Sequence, residues 1–361
     1  MNCRREEADA HRKSHTDPHH GEQTRRTVDR PIRSRWPTPR FSGESRERVD
    51  GFFRRGLPTV GREFVIPLLP GRPQSLHSAD EESGVRETIQ PRTQPSPRID
   101  AKYDKYDEGM LASVIAELRA AGCVFAEDEA ALLIKAASSP ADLRQLVDRR
   151  VSGIPLEHLL GWVEFSGLRI SLDAGVFVPR QRTAFLVQWA VAMAAPDAVV
   201  LDLCCGAGAI GAAIASRLPG IDLYAADIDP AAVANARRNL RPSCVFEGDL
   251  FDPLPPALRG RIDILVANTP YVPTDALALM PPEARLYEAR VALDGGSDGL
   301  DVQRRVAEAA PHWLASGGHL FVESSQEQAA LTAQFFEANG LIPEIAHSEE
   351  LYSTVVIGTL P

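Results

Sequence analysis

The chain has 361 residues, 44% of them apolar and 24% charged, a globular composition that excludes a wholly disordered or fibrous protein. Charge is divided along it: residues 1 to 100 hold 19 Lys and Arg against 15 Asp and Glu, and residues 101 to 361 hold 20 against 34. An acidic body argues against a protein whose main work is clamping nucleic-acid phosphates, because Lys and Arg supply that affinity.

No apolar run approaches the roughly 18 residues of a membrane helix, and the Arg- and His-rich start has no apolar signal-peptide core behind it. A cytoplasmic protein is the expectation. The five cysteines (Cys3, Cys123, Cys204, Cys205, Cys244) are odd in number, include a vicinal pair and form no CxxC, so reduced thiols are expected.

Residues 1 to 100 are rich in Arg, Pro, Ser and His with only short apolar islands, and read as disordered. They are either a tail or residues upstream of the true translation start, since no methionine lies between Met1 and Met110. His11, His15, His19 and His20 have i, i+4 spacing but no apolar face to hold a helix, and no metal site is expected. From Met110 the pattern changes: Leu111, Val114, Ile115 and Leu118, then Ala130, Leu133 and Ile134, then Leu143, Leu146 and Val147 recur at helical spacing, predicting a small helical unit over 110–160. Two short alternating runs, 164–170 and 176–178, flank Asp173-Ala174-Gly175 and predict a β-hairpin linking that unit to the rest, within 161–180.

Beyond Pro179 strands and helices alternate to the end of the chain, which predicts an α/β domain over 181–361. Seven strands are expected in a mostly parallel sheet with helices on both faces, the last two forming an antiparallel pair. The first strand runs Val199-Val200-Leu201-Asp202-Leu203 into Cys204-Cys205-Gly206-Ala207-Gly208, with Gly211 completing a GxGxxG spacing and Asp227 ending the second strand. Spacing alone permits a dinucleotide. A carboxylate at Asp202, beside a loop meant to cradle a pyrophosphate, is electrostatically wrong, and suits instead a ligand with an ammonium group.

S-adenosylmethionine is such a ligand. On that reading Gly206 and Gly208 let the backbone approach, Asp202 faces the amino-acid end, Asp227 accepts the ribose hydroxyls, and Asp249, followed by Leu250, takes the adenine amino group. After the fourth strand comes Asn268-Thr269-Pro270-Tyr271. Pro270 holds Thr269 extended and aims its carbonyl; with the Asn268 side-chain oxygen this makes two adjacent acceptors, a match for both N–H bonds of a planar amino group, and Tyr271 adds an aromatic face.

That segment resembles the (Asn/Asp)-Pro-Pro-Tyr motif of amino-group methyltransferases, and the chain from about 110 onward resembles the protein-glutamine N5-methyltransferases of the HemK/PrmC type. Gly161 to Phe165, Gly175 to Arg180 and Val291-Ala292-Leu293-Asp294-Gly295-Gly296-Ser297-Asp298-Gly299-Leu300 support the likeness. It departs from the family in Thr269 for Pro, in Cys204 for Gly, in Arg182 near a usual Glu, and in a shorter helical unit. The resemblance implies a seven-stranded Rossmann-like class I methyltransferase fold, S-adenosylmethionine as cofactor and methyl transfer to a glutamine amide of a protein, a release factor being the implied partner. It further implies substrate recognition by the helical unit, catalytic roles for Asn268 and Tyr271, a substrate site of Asn268, Thr269, Pro270, Tyr271 and Arg180, and cofactor contacts from Asp202, Cys204, Gly206, Gly208, Asp227, Asp249, Leu250 and Asn268. A monomer that takes no nucleic acid as substrate is expected. Two competing readings stand beside it: methylation of a nucleic-acid base, which requires base flipping and a basic surface, and an inactive cofactor-binding homologue marked by Cys204 and Thr269.

Overall fold

The computed structural model describes residues 108–361. The disorder expected of residues 1 to 100, and the histidine spacing within them, lie outside the described residues. Four helices come first: α1 (Glu108–Ala120), α2 (Ala126–Ala136), α3 (Pro140–Val151) and the short α4 (Leu156–Leu160). The apolar spacing puts one face of each of the first three inward, where Val114, Leu118, Ala130, Leu133, Leu143 and Val147 share a core. Ser139 starts α3 by accepting the Asp142 N–H at 3.1 Å with Pro140 in the first turn, and α4 stops at Gly161, whose φ of +75° is left-handed.

The hairpin is displaced from its predicted position. Its strands are β1 (Trp162–Phe165) and β2 (Leu168–Ser171), paired antiparallel with Phe165 opposite Leu168. Its turn is Ser166-Gly167, both with positive φ (53° and 80°), the two-residue geometry that matches strand twist. Residues 176–178 join no strand; only Gly175 makes an isolated bridge, to Glu288, while the Val176 carbonyl meets His158 Nε2 at 2.8 Å. Two asparagines of α7 (Pro230–Asn239) anchor the hairpin: Asn235 bonds both Asp173 N and Ser171 O, and Asn239 bonds Ser171 N and O and also the Ala207 carbonyl.

The main sheet contains β3 (Val199–Leu203), β4 (Asp222–Asp227), β5 (Val245–Glu247), β6 (Ile262–Ala267), β7 (Leu314–Ser324), β8 (Ile342–Ser348) and β9 (Ser353–Thr359), in the order β5-β4-β3-β6-β7-β9-β8. All neighbouring pairs are parallel except those made by β9, which runs against both β7 and β8. This is the expected Rossmann-like class I sheet. Alternate strand residues feed two cores. Val200, Ile264, Val266 and Phe321 pack on one face against α5 (Ala184–Met193) and α6 (Ala209–Arg217). Leu201, Leu265, Leu320 and Val322 pack on the other against α9 (Asp301–Ala309) and α10 (Ala329–Ala338). Helix α5 lies outside the predicted elements. Its sequence is apolar nearly all round and carries almost no amphipathic period, because it is packed under the hairpin and over the sheet at once. No helix among the described residues is long and apolar enough to cross a membrane. Strand order reverses between β3 and β6, and such a reversal opens a crevice at the C-terminal edge.

Candidate active site at the C-terminal edge of the sheet

A cavity of about 380 Å³ fills that crevice, and its wall includes Cys204, Gly206, Asp227, Asp249, Leu250, Asn268, Thr269, Pro270, Tyr271 and Arg180. Ten of the residues predicted from the sequence thus converge, although they span 92 positions from Arg180 to Tyr271. Asp202 and Gly208 stand behind the wall. Asp202 is fully buried at the end of β3, where one oxygen accepts the Gly211 N–H at 2.8 Å and ties down the first turn of α6. Its other oxygen has no partner among the described residues. Burial pushes the Asp202 carboxyl up to about 8, the nearby Asp227 charge adds to that, and the Gly211 N–H offsets part of it. A Cβ on Gly208 would sit 2.9 Å from Leu240 Cδ1, so this glycine serves close packing of the loop on α7.

The loop between β3 and α6 is held from several sides. Cys205 N–H donates to Ala226 O at 3.1 Å, Gly208 N–H to Cys205 O at 2.7 Å, and Gly206 N–H to Asp227 Oδ2 at 2.8 Å. Cys204 has a φ of +57°, the left-handed backbone that glycine adopts without strain and that a side chain takes at a cost. Burial raises both the Cys204 and Cys205 thiols, and the carboxylates of Asp202 and Asp227 add to it. Asp227 also accepts the Asp229 N–H at 2.9 Å; burial raises its carboxyl while these two N–H donors lower it. Asp249 accepts from Arg305 at 2.7 Å, and both line the cavity.

At the end of β6 the Asn268 amide nitrogen lies 3.5 Å from the hydroxyl of buried Thr183, which leaves its oxygen as the acceptor of that side chain. Thr269 is 1% exposed. The glycine-rich stretch after Leu293 packs directly beneath this segment: Val272 and Asp294 form a parallel bridge, and a Cβ on Gly295 would fall 2.7 Å from Pro270 O and one on Gly299 2.3 Å from Tyr271 O. Gln328 Nε2 closes the contact by donating to both Tyr271 O (3.1 Å) and Asp298 O (3.0 Å). The two motifs are therefore one structural unit. Arg180 is paired with buried Glu288 at 2.6 Å, and its guanidinium lies over Phe177 at 4.9 Å. Thr183, Glu288, Glu323 and Gln328 were not foreseen as site residues. They carry no motif of their own and gain a role only through contacts made across more than fifty residues.

Residues 168–297 match the family described as Methyltransferase small domain. Over 204 residues the chain is 41% identical to the release factor glutamine methyltransferase of Geobacter sulfurreducens, covering 55% of this chain and 71% of that protein. Over 215 residues it is 37% identical to the release factor glutamine methyltransferase of Mycolicibacterium smegmatis, covering 58% and 76%. Among solved structures, the release factor-specific protein-(glutamine-N5) methyltransferase from Alicyclobacillus acidocaldarius is 25% identical with a TM-score of 0.33, over 51% of this chain and 94% of that one.

Proposed function

The chain belongs to the release factor glutamine methyltransferase family, and we propose that the cavity between β3 and β6 is where it methylates the side-chain amide nitrogen of a glutamine in a release factor. S-adenosylmethionine supplies a methyl group activated by a sulfonium. The residues fit that cofactor. The wall carries Asp227 and Asp249, a Cβ at Gly206 would meet nothing within 4 Å, and one oxygen of buried Asp202 is without a partner among the described residues. Arg180, Arg182 and Arg305 also line the wall, but each is bonded to a carboxylate (Glu288, Glu323 and Asp249), so the site favours a cationic ligand over a pyrophosphate. In this reading Asp227 takes the ribose hydroxyls, Asp249 and Leu250 the adenine, and the backbone at Cys204 and Gly206 the amino-acid portion. Asp202 and Gly208 act from behind, by fixing the loop, and Asn268 borders both ligands.

The observation that carries the reading is the position of Asn268 and Thr269 just after β6, on the wall of the same cavity that Asp227 and Asp249 line. An amide nitrogen is a poor nucleophile because its lone pair is delocalised into the carbonyl. Two acceptors held side by side orient its N–H bonds and favour lone-pair density toward the methyl carbon, a gain that comes from preorganisation. Pro270 stiffens the segment, Tyr271 packs against the amide, and Arg180, braced on Glu288, closes the wall. The helical unit is the substrate-recognition element of this reading. Arg150 of α3 bonds Glu283 at 2.6 Å, and Glu283 lies in α8 (Pro282–Tyr287), within the segment whose Met280, Val291 and Leu293 line the cavity.

Incubation of the full chain with a release factor and radiolabelled S-adenosylmethionine tests this. Label is expected on a glutamine amide, located by mass spectrometry. Asn268→Ala is expected to lower the single-turnover rate on the order of 100-fold with cofactor affinity nearly unchanged. Label on nucleic acid instead of protein, or near-wild-type turnover by the variant, overturns the reading.

A further inference from the structure

Arg182 stands where the sequence departs from its family pattern, and the structure gives it three connections. It sits in a short 3-10 turn (Gln181–Thr183) that leads into α5, on the cavity wall. Its Nε donates to Glu323 Oε1 at 3.1 Å, and its Nη2 donates to the Tyr271 hydroxyl. Glu323 is the penultimate residue of β7, adjacent to β6 in the sheet, and its side chain is 2% exposed with the second oxygen unpartnered among the described residues. A buried carboxylate needs a counter-charge, and here one guanidinium is the cation bonded to it. The planar fork that satisfies Glu323 points its other nitrogen at Tyr271, so the position of one contact sets the other.

We propose that Arg182 is a positioning residue: braced on buried Glu323, its guanidinium holds the Tyr271 hydroxyl and so fixes the aromatic ring against the acceptor amide. This rests on the role of Tyr271 given above. Among the described residues the Arg182 contact is the hydrogen bond made by the Tyr271 hydroxyl, since the Gln328 contact is to the Tyr271 carbonyl and not to the side chain. A ring free to rotate would widen the acceptor slot, and displacements of about 1 Å near a reacting centre cost on the order of 100-fold in rate. The competing account is structural: Arg182 only neutralises Glu323, and any cation at that position serves.

The two accounts separate in a set of full-length variants. Arg182→Lys keeps a charge for Glu323 but lacks the second arm of the fork, and Arg182→Met removes both contacts. If Arg182 positions the ring, each variant lowers the single-turnover rate at saturating protein substrate by about 10-fold or more while cofactor affinity changes by less than about 2-fold. In a Tyr271→Phe background the same substitutions add less than about 2-fold, because the atom they act through is gone. Wild-type rates in Arg182→Lys overturn the proposal, as does an undiminished effect of either substitution in Tyr271→Phe.

A further readout needs no substrate. Tyr271 is held above the usual phenol range by burial and by Glu323, and Arg182 and Arg180 pull it down. Loss of the Arg182 fork therefore raises the Tyr271 ionisation midpoint, read from tyrosinate absorbance with Tyr271→Phe subtracted; an unchanged midpoint also overturns the proposal. If the wild type fails to methylate a release factor but the midpoint moves, the contact stands and the assigned reaction is what fails.

Discussion

At the scale of single residues the glycine loop between β3 and α6 is a set of backbone conformations more than a set of side chains. Gly206 and Gly208 both take positive φ (55° and 75°), so alanine at either costs on the order of 1–2 kcal/mol in the left-handed region. Their surroundings differ. The added methyl at Gly206 meets nothing within 4 Å and enters the cavity, whereas at Gly208 it meets Leu240 Cδ1 at 2.9 Å. Gly206→Ala is expected to weaken S-adenosylmethionine by about 10-fold or more with a modest loss of stability. Gly208→Ala is expected to lose about 2 kcal/mol or more of stability with a smaller effect on affinity. Urea unfolding and titration calorimetry on both variants read the pattern, and its reversal would show the two glycines wrongly assigned. Cys204, with φ +57° and a side chain packed at the edge of one core, bears the same backbone cost and recovers part of it by burial.

Among elements, the helical unit is joined to the segment around α8 whose neighbours Met280, Val291 and Leu293 line the cavity. Arg150 is 7% exposed at the end of α3; it bonds Glu129 of α2 at 2.6 Å, Glu283 of α8 at 2.6 Å and the Ile154 carbonyl. Tyr287 adds a hydrogen bond from α8 to Ser152 O. Arg150→Met strands the Glu129 carboxylate, whose side chain is 12% exposed, while Glu283, 47% exposed, can turn to water. The expected loss is about 2–3 kcal/mol, below the range for a fully buried pair because one partner is rescued by solvent. Adding Glu129→Gln should restore part of it. Equal stability of the single variant and the wild type in denaturant titrations rules out this junction as a fixed coupling.

For the whole molecule, the fully buried Asp202 ties stability to pH in an unusual direction. Its carboxyl is raised from an ordinary value near 3.8 to about 8, so between those limits the folded chain holds a proton that the unfolded chain releases. Stability therefore falls as pH rises through that window. Burial lowers His319, a shift of opposite sign, so the informative quantity is the difference between the wild type and Asp202→Asn. From pH 5 to pH 8 without cofactor, the wild-type Tm should fall further than that of the variant, by roughly 5 °C. Parallel Tm curves would mean that Asp202 is ionised throughout. A cationic ligand favours the ionised carboxylate, so S-adenosylmethionine binding near pH 7 should release a proton in the wild type and not in the variant.

What the sequence determined by itself is whatever a few neighbouring residues dictate. The helical periods after Met110, the apolar runs of β3 and β6, the left-handed positions of the glycine loop and the stiffened Asn268-Thr269-Pro270-Tyr271 segment all follow from local sterics and from burial that repeats every two or 3.6 residues. Tertiary structure decided where equivalent local choices compete. Ser166-Gly167 and Asp173-Ala174-Gly175 are both good turns, and strand pairing together with the α7 asparagines selects the first. An all-round apolar stretch such as α5 has no readable period until both of its packing surfaces exist. Whether Asp202 faces the cavity or stands behind it depends on how α6 seats on the loop. The bond from Arg182 to Glu323 joins residues 141 positions apart, and no local rule pairs charges at that separation, because only the folded sheet brings a buried carboxylate and its counter-charge together.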